Sequence, residues 1–228
     1  MAALTLVSTS TSTLLLTPPG VYAPQGDTEL LMRALRREDI DSSTDVLDLG
    51  TGSGAVAVQA ARLGARVTAV DISWLSVFTA RVNALLARRR VRVRHGDLTT
   101  AVTGRTYDLV ISNPPYVPSP ADRPPRGGRA RAWEGGRDGR VFVDRLCAAA
   151  PAMLRPGGTL LVVHSDLCGT DATLRGFEEH GLRASVVDRA EVPYGPVLRA
   201  RRPWLIRQGL IGEDDNREEL VVVRAERP

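Results

Sequence analysis

The chain reads as one α/β domain built on a doubly wound, mostly parallel sheet with an antiparallel terminal strand. Three observations predict this. From Thr44 onward, short β-rich runs alternate with helical runs of roughly 10–15 residues. A glycine-rich turn joins the first of those strands to the helix behind it. The last two strand runs follow each other without a full helix between them, which fits an antiparallel edge pair. The 228 residues, 43% of them hydrophobic and 25% charged, suffice for one core, so 1–228 is taken as a single domain. Within it, 1–43 is an N-terminal extension ending in a helix, and 118–139 is a long Arg/Gly-rich loop.

Each element has its own reason. Residues 27–38, "DTELLMRALRRE", carry helical periodicity, and Asp27 or Thr28 can cap them. "TDVLDL" (44–49) is a strand and "GAVAVQAARLG" (54–64) a helix. "RVTAVD" (66–71) and "WLSVFTARVNALLARR" (74–89) repeat that pair. "VRVRH" (91–95) is a strand whose arginines protect a sheet edge. "YDLVIS" (107–112) is the fourth strand, and "RVFVDRLCAAAPAML" (140–154) is a helix that stops before "RPGG". "GTLLVVHS" (158–165), "RASVVDRAEV" (183–192) and "EELVVVRA" (218–225) are strands, and "TDATLRGFEEHG" (170–181) is a helix. Residues 118–139 break the alternation and read as a loop, and loops of that length are usually functional or disordered.

The turn "VLDLGTGSGAVAV" (46–58) carries the first chemistry. Gly50, Gly52 and Gly54 permit a tight turn and close approach of a ligand to the backbone. The next helix offers free N–H groups at its start. Asp71 ends the second strand, 21 residues after Gly50, where a carboxylate can accept from ribose hydroxyls. The same glycines satisfy the dinucleotide fingerprint, so a nicotinamide or flavin enzyme stays open at this point. Asp48 leans the other way. A carboxylate two residues before the turn repels a pyrophosphate and suits a cationic ligand. In "RHGDL" (94–98), Asp97 can accept from an adenine amine beside the Leu98 backbone, or can simply serve the turn after Gly96.

"YDLVISNPPYVPSP" (107–120) runs from a buried strand into Asn113, Pro114, Pro115 and Tyr116. With "LDLGTGSG", Asp71 and "GD" at 96–97, this order and spacing resembles the class I S-adenosylmethionine-dependent methyltransferases. The Asn-Pro-Pro-Tyr motif resembles their amino-methylating branch, the DNA adenine-N6 enzymes and the HemK-type glutamine methyltransferases of release factors. "GVYAPQGDTELL" (20–31) and "AWEGGRDGR" (132–140) resemble the short HemK-like proteins. The likeness covers roughly 20–165 well; "PYGPVLRARRPWLIRQGLI" (193–211) departs from it. About 43 residues precede the first strand, too few for the helical substrate domain that bacterial HemK enzymes usually carry.

The resemblance implies a seven-stranded Rossmann-like sheet and S-adenosyl-L-methionine as cofactor. Its site would comprise Thr28, Asp48, Gly50, Gly52, Gly54, Asp71, Asp97, Leu98 and Asn113. Catalysis would fall to Asn113, Pro114 and Tyr116. An amide or aryl amine nitrogen is a poor nucleophile because its lone pair is delocalised. The Asn113 side-chain oxygen and the Pro114 carbonyl can each accept one of its two N–H bonds and stabilise the charge that develops. The prolines fix the turn, and Tyr116 can stack on the flat acceptor. The implied partners are a protein substrate of release-factor type and a small activating subunit.

Composition narrows the remainder. All 30 basic residues are Arg, and the net charge is only +4, which is weak for a nucleic-acid enzyme. Six of those arginines fall in 123–140, where a solvated loop is the plainer reading than phosphate binding. Trp133 either anchors that loop or packs on substrate. No run reaches the ~18 apolar residues of a spanning helix. The N-terminal "MAALTLVSTSTSTLLLTPPG" lacks the positive start of a signal peptide. Cys147 and Cys168 fit no metal spacing and read as reduced thiols of a cytoplasmic protein. His95, His164 and His180 are scattered and read as strand-end or surface residues rather than as bases.

Overall fold

The computed structural model describes residues 5–8, 14–125 and 127–228. Seven strands form one sheet: β3 (Asp45–Leu49), β4 (Arg66–Asp71), β5 (Val91–His95), β6 (Tyr107–Ser112), β7 (Leu154–Ser165), β8 (Arg183–Pro193) and β9 (Arg217–Glu226). Their order is β5-β4-β3-β6-β7-β9-β8. The first five are parallel, and β9 runs antiparallel between β7 and β8. This is the mixed, mostly parallel seven-stranded Rossmann-like sheet that the resemblance implied, with its antiparallel terminal strand.

Alternation along the strands sorts the core into two layers. Val46, Leu109, Ile111, Leu161, Val163 and Val222 face α1 (Gly26–Leu35), α2 (Ala55–Arg62) and α3 (Trp74–Leu86). Leu47, Leu49, Val110, Leu160, Val162 and Val223 face α4 (Val141–Met153) and α5 (Thr170–Glu179). With helices on both faces, the middles of the central strands are apolar on both sides, and the polar residues of β3 and β6 fall toward the strand ends. The edge strand β5 exposes Arg92 and Arg94.

Two elements go beyond the sequence expectation. A hairpin, β1 (Thr5–Ser8) and β2 (Leu14–Thr17), precedes α1. Asn83 on α3 holds it through Leu16 N–H at 2.8 Å and Leu16 O at 2.9 Å. It also donates to Ser53 O at 2.8 Å, which ties hairpin, helix and glycine turn together. The second element corrects the expectation of no full helix between the last strands: α6 (Pro196–Arg207) lies between β8 and β9. Its first residue is a proline, which suits a helix start. Leu198 and Leu205 bury against Tyr194 and Ile211 in a small third core.

The N-terminal ends of the parallel strands are fastened by ions. Arg155 on β7 reaches Asp45 and Asp108, each at 2.6 Å, and Arg66 on β4 reaches Asp45 at 2.8 Å. Among the described residues, no helix is long and apolar enough to cross a membrane, and no group of three or more His, Cys, Asp or Glu could hold a metal ion.

Candidate active site

The chain leaves β3 toward β4 on one side and returns to β6 on the other. The crevice at such a switch point, beyond the C-terminal strand ends, is where open α/β sheets bind ligands. A cavity of about 670 Å³ lies there, lined by the glycine turn, Asp71, Asp97, the Asn-Pro-Pro-Tyr turn and Thr28. All the residues singled out from the sequence gather around it except Gly54. That glycine starts α2 with φ +83°, and a Cβ on it would come within 3.0 Å of Ala80 on α3. Its task is helix packing.

The three carboxylates differ in depth. Asp48 is 2% exposed and accepts from Thr51 Oγ1 at 2.6 Å, so it braces the turn from beneath. Burial pushes its carboxyl up to about 7, helped by the charge of Asp71. Asp71 accepts from Gly52 N–H at 2.9 Å and Ser73 N–H at 2.8 Å, and burial raises it too. Asp97 is half-exposed, and Arg145 takes one of its oxygens at 2.9 Å. Leu98 beside it has φ 46°.

The Asn-Pro-Pro-Tyr turn ends β6. Asn113 Nδ2 donates to Thr28 Oγ1 at 3.4 Å. Tyr116 is nearly buried, and its hydroxyl donates to Asp27 Oδ2 at 3.0 Å; Tyr22 donates to the same oxygen at 2.7 Å. The sequence reading used only the ring face of Tyr116, and the structure gives its hydroxyl a partner. Cys168 Sγ donates to Tyr116 O at 3.0 Å, which fixes the far end of the turn. Both cysteines are free and buried, and burial raises their thiols. His164 is fully buried at the end of β7, a strand-end residue.

The arginine-rich loop is not simply solvated. Gly127, Gly128, Arg129, Arg131 and Trp133 line the cavity, and the positive charge of Arg131 acts on Asp71. Arg126 lies outside the described residues. Val117 pairs with Glu134 across the loop, and Arg201 of α6 pairs with Glu134 and donates to Pro118 O at 2.8 Å. The unforeseen helix therefore pins both arms of the loop.

Sequence reasoning missed Tyr22, Glu218 and the part played by Asp27. Asp27 and Thr28 were read as caps, but α1 starts at Gly26 behind Gln25, so both lie in its first turn. Glu218 on β9 lines the cavity, and burial pushes it up to about 7. Its Oε2 and Trp133 Nε1 are buried without a hydrogen-bond partner. No local pattern marks Glu218; only strand pairing brings it to the pocket.

A glycine turn at the switch point of a seven-stranded sheet with an antiparallel β9, facing an Asn-Pro-Pro-Tyr turn, defines a class I methyltransferase. A family model described as methyltransferase small domain matches residues 12–123. A protein of Methanocaldococcus jannaschii, provisionally named as a protein N5-glutamine methyltransferase, is 33% identical over 181 residues, 79% of this chain and 90% of its own length. The release factor glutamine methyltransferase of Bordetella pertussis is 39% identical over 155 residues, 64% of this chain; the match spans only 57% of that longer protein. Among solved structures, the E. cuniculi Mtq2–Trm112 complex, responsible for methylating the eRF1 termination factor, superposes with a TM-score of 0.64 at 24% identity. The match covers 92% of this chain and 99% of that one. The chain is an enzyme and belongs to the methyltransferase family that includes these glutamine methyltransferases.

Proposed function

We propose that this enzyme moves a methyl group from S-adenosyl-L-methionine to the side-chain amide nitrogen of a glutamine in a protein. The observation that carries it is Asn113, held at the cavity opposite the glycine turn with its Nδ2 engaged by Thr28. Its Oδ1 is thereby left for an acceptor N–H.

The residues present fit that cofactor. Asp48, buried, and Asp71, partly buried, put two carboxylates around the turn. That field suits a sulfonium and an amino group and opposes a pyrophosphate. Asp71 can reach ribose hydroxyls, and Asp97 with Leu98 borders the adenine end. When bound, the cofactor supplies an electrophilic methyl group. Asn113 Oδ1 and Pro114 O each accept one amide N–H, which draws the nitrogen into line and stabilises positive charge growing on it. Tyr116, Val117 and Trp133 wall the acceptor side against water. The proton leaves after transfer, so no strong base is needed beforehand.

The relatives' names favour a release-factor-like acceptor, and the two free, buried cysteines favour a reducing, cytoplasmic setting. A small partner of the Trm112 kind would need an apolar surface, and α3 exposes Trp74, Phe78, Leu85 and Leu86. The test is transfer of labelled methyl groups to a recombinant release factor, to RNA and to DNA in parallel, followed by mass spectrometry. Label on a glutamine nitrogen is expected. Label on an adenine amine instead would shift the assignment to the nucleic-acid branch.

A further inference from the structure

Asp27 sits at the second position of α1 and is 3% exposed. Its carboxylate meets four donors: Thr28 N–H at 2.5 Å and Thr28 Oγ1 at 3.1 Å on one oxygen, Tyr22 at 2.7 Å and Tyr116 at 3.0 Å on the other. One side chain thus reaches both ends of the Asn-Pro-Pro-Tyr turn, Tyr116 directly and Asn113 through Thr28.

We propose that Asp27 is a positioning residue that sets which end of the Asn113 amide faces the methyl acceptor. This rests on the reading that Asn113 holds the acceptor nitrogen. A carboxylate only accepts hydrogen bonds. The Thr28 hydroxyl therefore points its proton at Asp27 and offers lone pairs to Asn113. Only the Nδ2 end of Asn113 satisfies them; the reversed amide would set Oδ1 against another acceptor. At 3.4 Å the last link is long, so it steers the amide rather than gripping it. Oδ1 then stays available for the substrate N–H. The Tyr116 bond holds the other end of the turn, and the two prolines between keep it stiff.

Replacing Asp27 by Ala removes this order. The Thr28 hydroxyl is then free to turn its proton toward Asn113, and the amide becomes free to reverse. Asp27→Ala is expected to lower turnover by about 10-fold or more, with the KM for a release-factor acceptor within about threefold. Affinity for S-adenosylhomocysteine is expected to stay within about threefold of the parent. Asp27→Asn is the conservative variant. The Thr28 N–H and hydroxyl share one Asp27 oxygen, so the Asn keeps its Oδ1 there, turns its Nδ2 to the tyrosine oxygens, and retains most of the turnover. Thr28→Val is expected to lose turnover like Asp27→Ala, and Thr28→Ser, which keeps the hydroxyl, to retain it. On an Asn113→Ala background, Asp27→Ala should add nothing, because the two act as one unit.

A readout free of turnover is hydrogen exchange of the Asn113 side-chain amide in the uncomplexed protein, followed by NMR. Exchange should speed up in both Asp27→Ala and Thr28→Val. Unchanged exchange in folded variants overturns the relay. So does parent-like turnover in Asp27→Ala and Thr28→Val while Asn113→Ala is impaired, and the role of Asn113 then stands. Parent-like turnover in Asn113→Ala removes the underlying reading and the relay with it.

Discussion

Asp45 and Asp48 lie three residues apart on one strand, β3, and live in opposite worlds. At the N-terminal end of the sheet Asp45 is met by Arg66 and Arg155, and those hydrogen bonds pull its carboxyl down to about 2. At the C-terminal end burial pushes Asp48 up to about 7, and the charge it feels nearby is another carboxylate, Asp71. Glu218, at the same end of the sheet, is also pushed up to about 7 by burial. One end of the sheet matches its charges, as a structure does for stability. The other keeps buried carboxylates poorly compensated, which disfavours folding and suits a cationic ligand.

The largest effect that can test this contrast is catalytic. Asn113→Ala should leave the protein folded, with much of its cofactor affinity, while methyl transfer falls by about 10²-fold or more. Initial rates with labelled cofactor, alongside melting curves, measure it. Parent-like rates would make the Asn-Pro-Pro-Tyr turn a structural feature only.

Next comes the cofactor. Asp71→Ala should weaken binding of S-adenosylhomocysteine by about 1–3 kcal/mol, since it removes both a ribose acceptor and the bonds that close the turn on Gly52 and Ser73. Titration calorimetry reads this directly.

The pH dependence sharpens the comparison. A carboxylate raised on folding holds its proton more tightly in the folded chain than in the unfolded one. Between about 4 and 7 the folded state then binds more protons, so the contributions of Asp48 and Glu218 make stability fall as pH rises. Asp45 runs the other way: its contribution is present above about 4 and is lost as pH falls toward 2. Asp48→Asn should therefore raise the melting temperature of the unliganded protein at pH 8 relative to its effect at pH 5, and weaken cofactor binding. A variant that loses more melting temperature at pH 8 than at pH 5 would contradict the assignment of Asp48 as a poorly compensated charge.

The smallest effect belongs to the paired end. Arg155→Met should cost about 1 kcal/mol in chemical denaturation, because its ion pairs are partly exposed. Turnover should not change. A loss of turnover with normal cofactor binding would show that the two ends are not separable.

The ligand-facing side of this contrast was legible in the chain, and the ion-paired end was not. The strands announced themselves by β-rich runs, and the glycine turn, Asp71 and Asn113 fell at strand ends where an α/β sheet places its ligands. The helix α6 did not. Four of its residues, Arg199, Arg201, Arg202 and Arg207, are charged, and Pro203 interrupts it, so its two buried leucines gave too weak a period. Its place is held by tertiary contacts, Arg201 with the loop and Leu205 with Ile211. Glu218 was hidden for a similar reason: β9 inserts between β7 and β8, and no local signal states which residue of it meets the pocket. The hub at Asp27 depends on Tyr116, 89 residues away.

The central claim is that the glycine turn is an acidic seat for a cationic methyl donor rather than a pyrophosphate cradle. Titration calorimetry of the parent protein with S-adenosylmethionine, S-adenosylhomocysteine and NAD tests it most directly. Binding of the first two, weakened in Asp48→Asn, with no heat from NAD, is the expected result. Binding of NAD without either methionine derivative would contradict it.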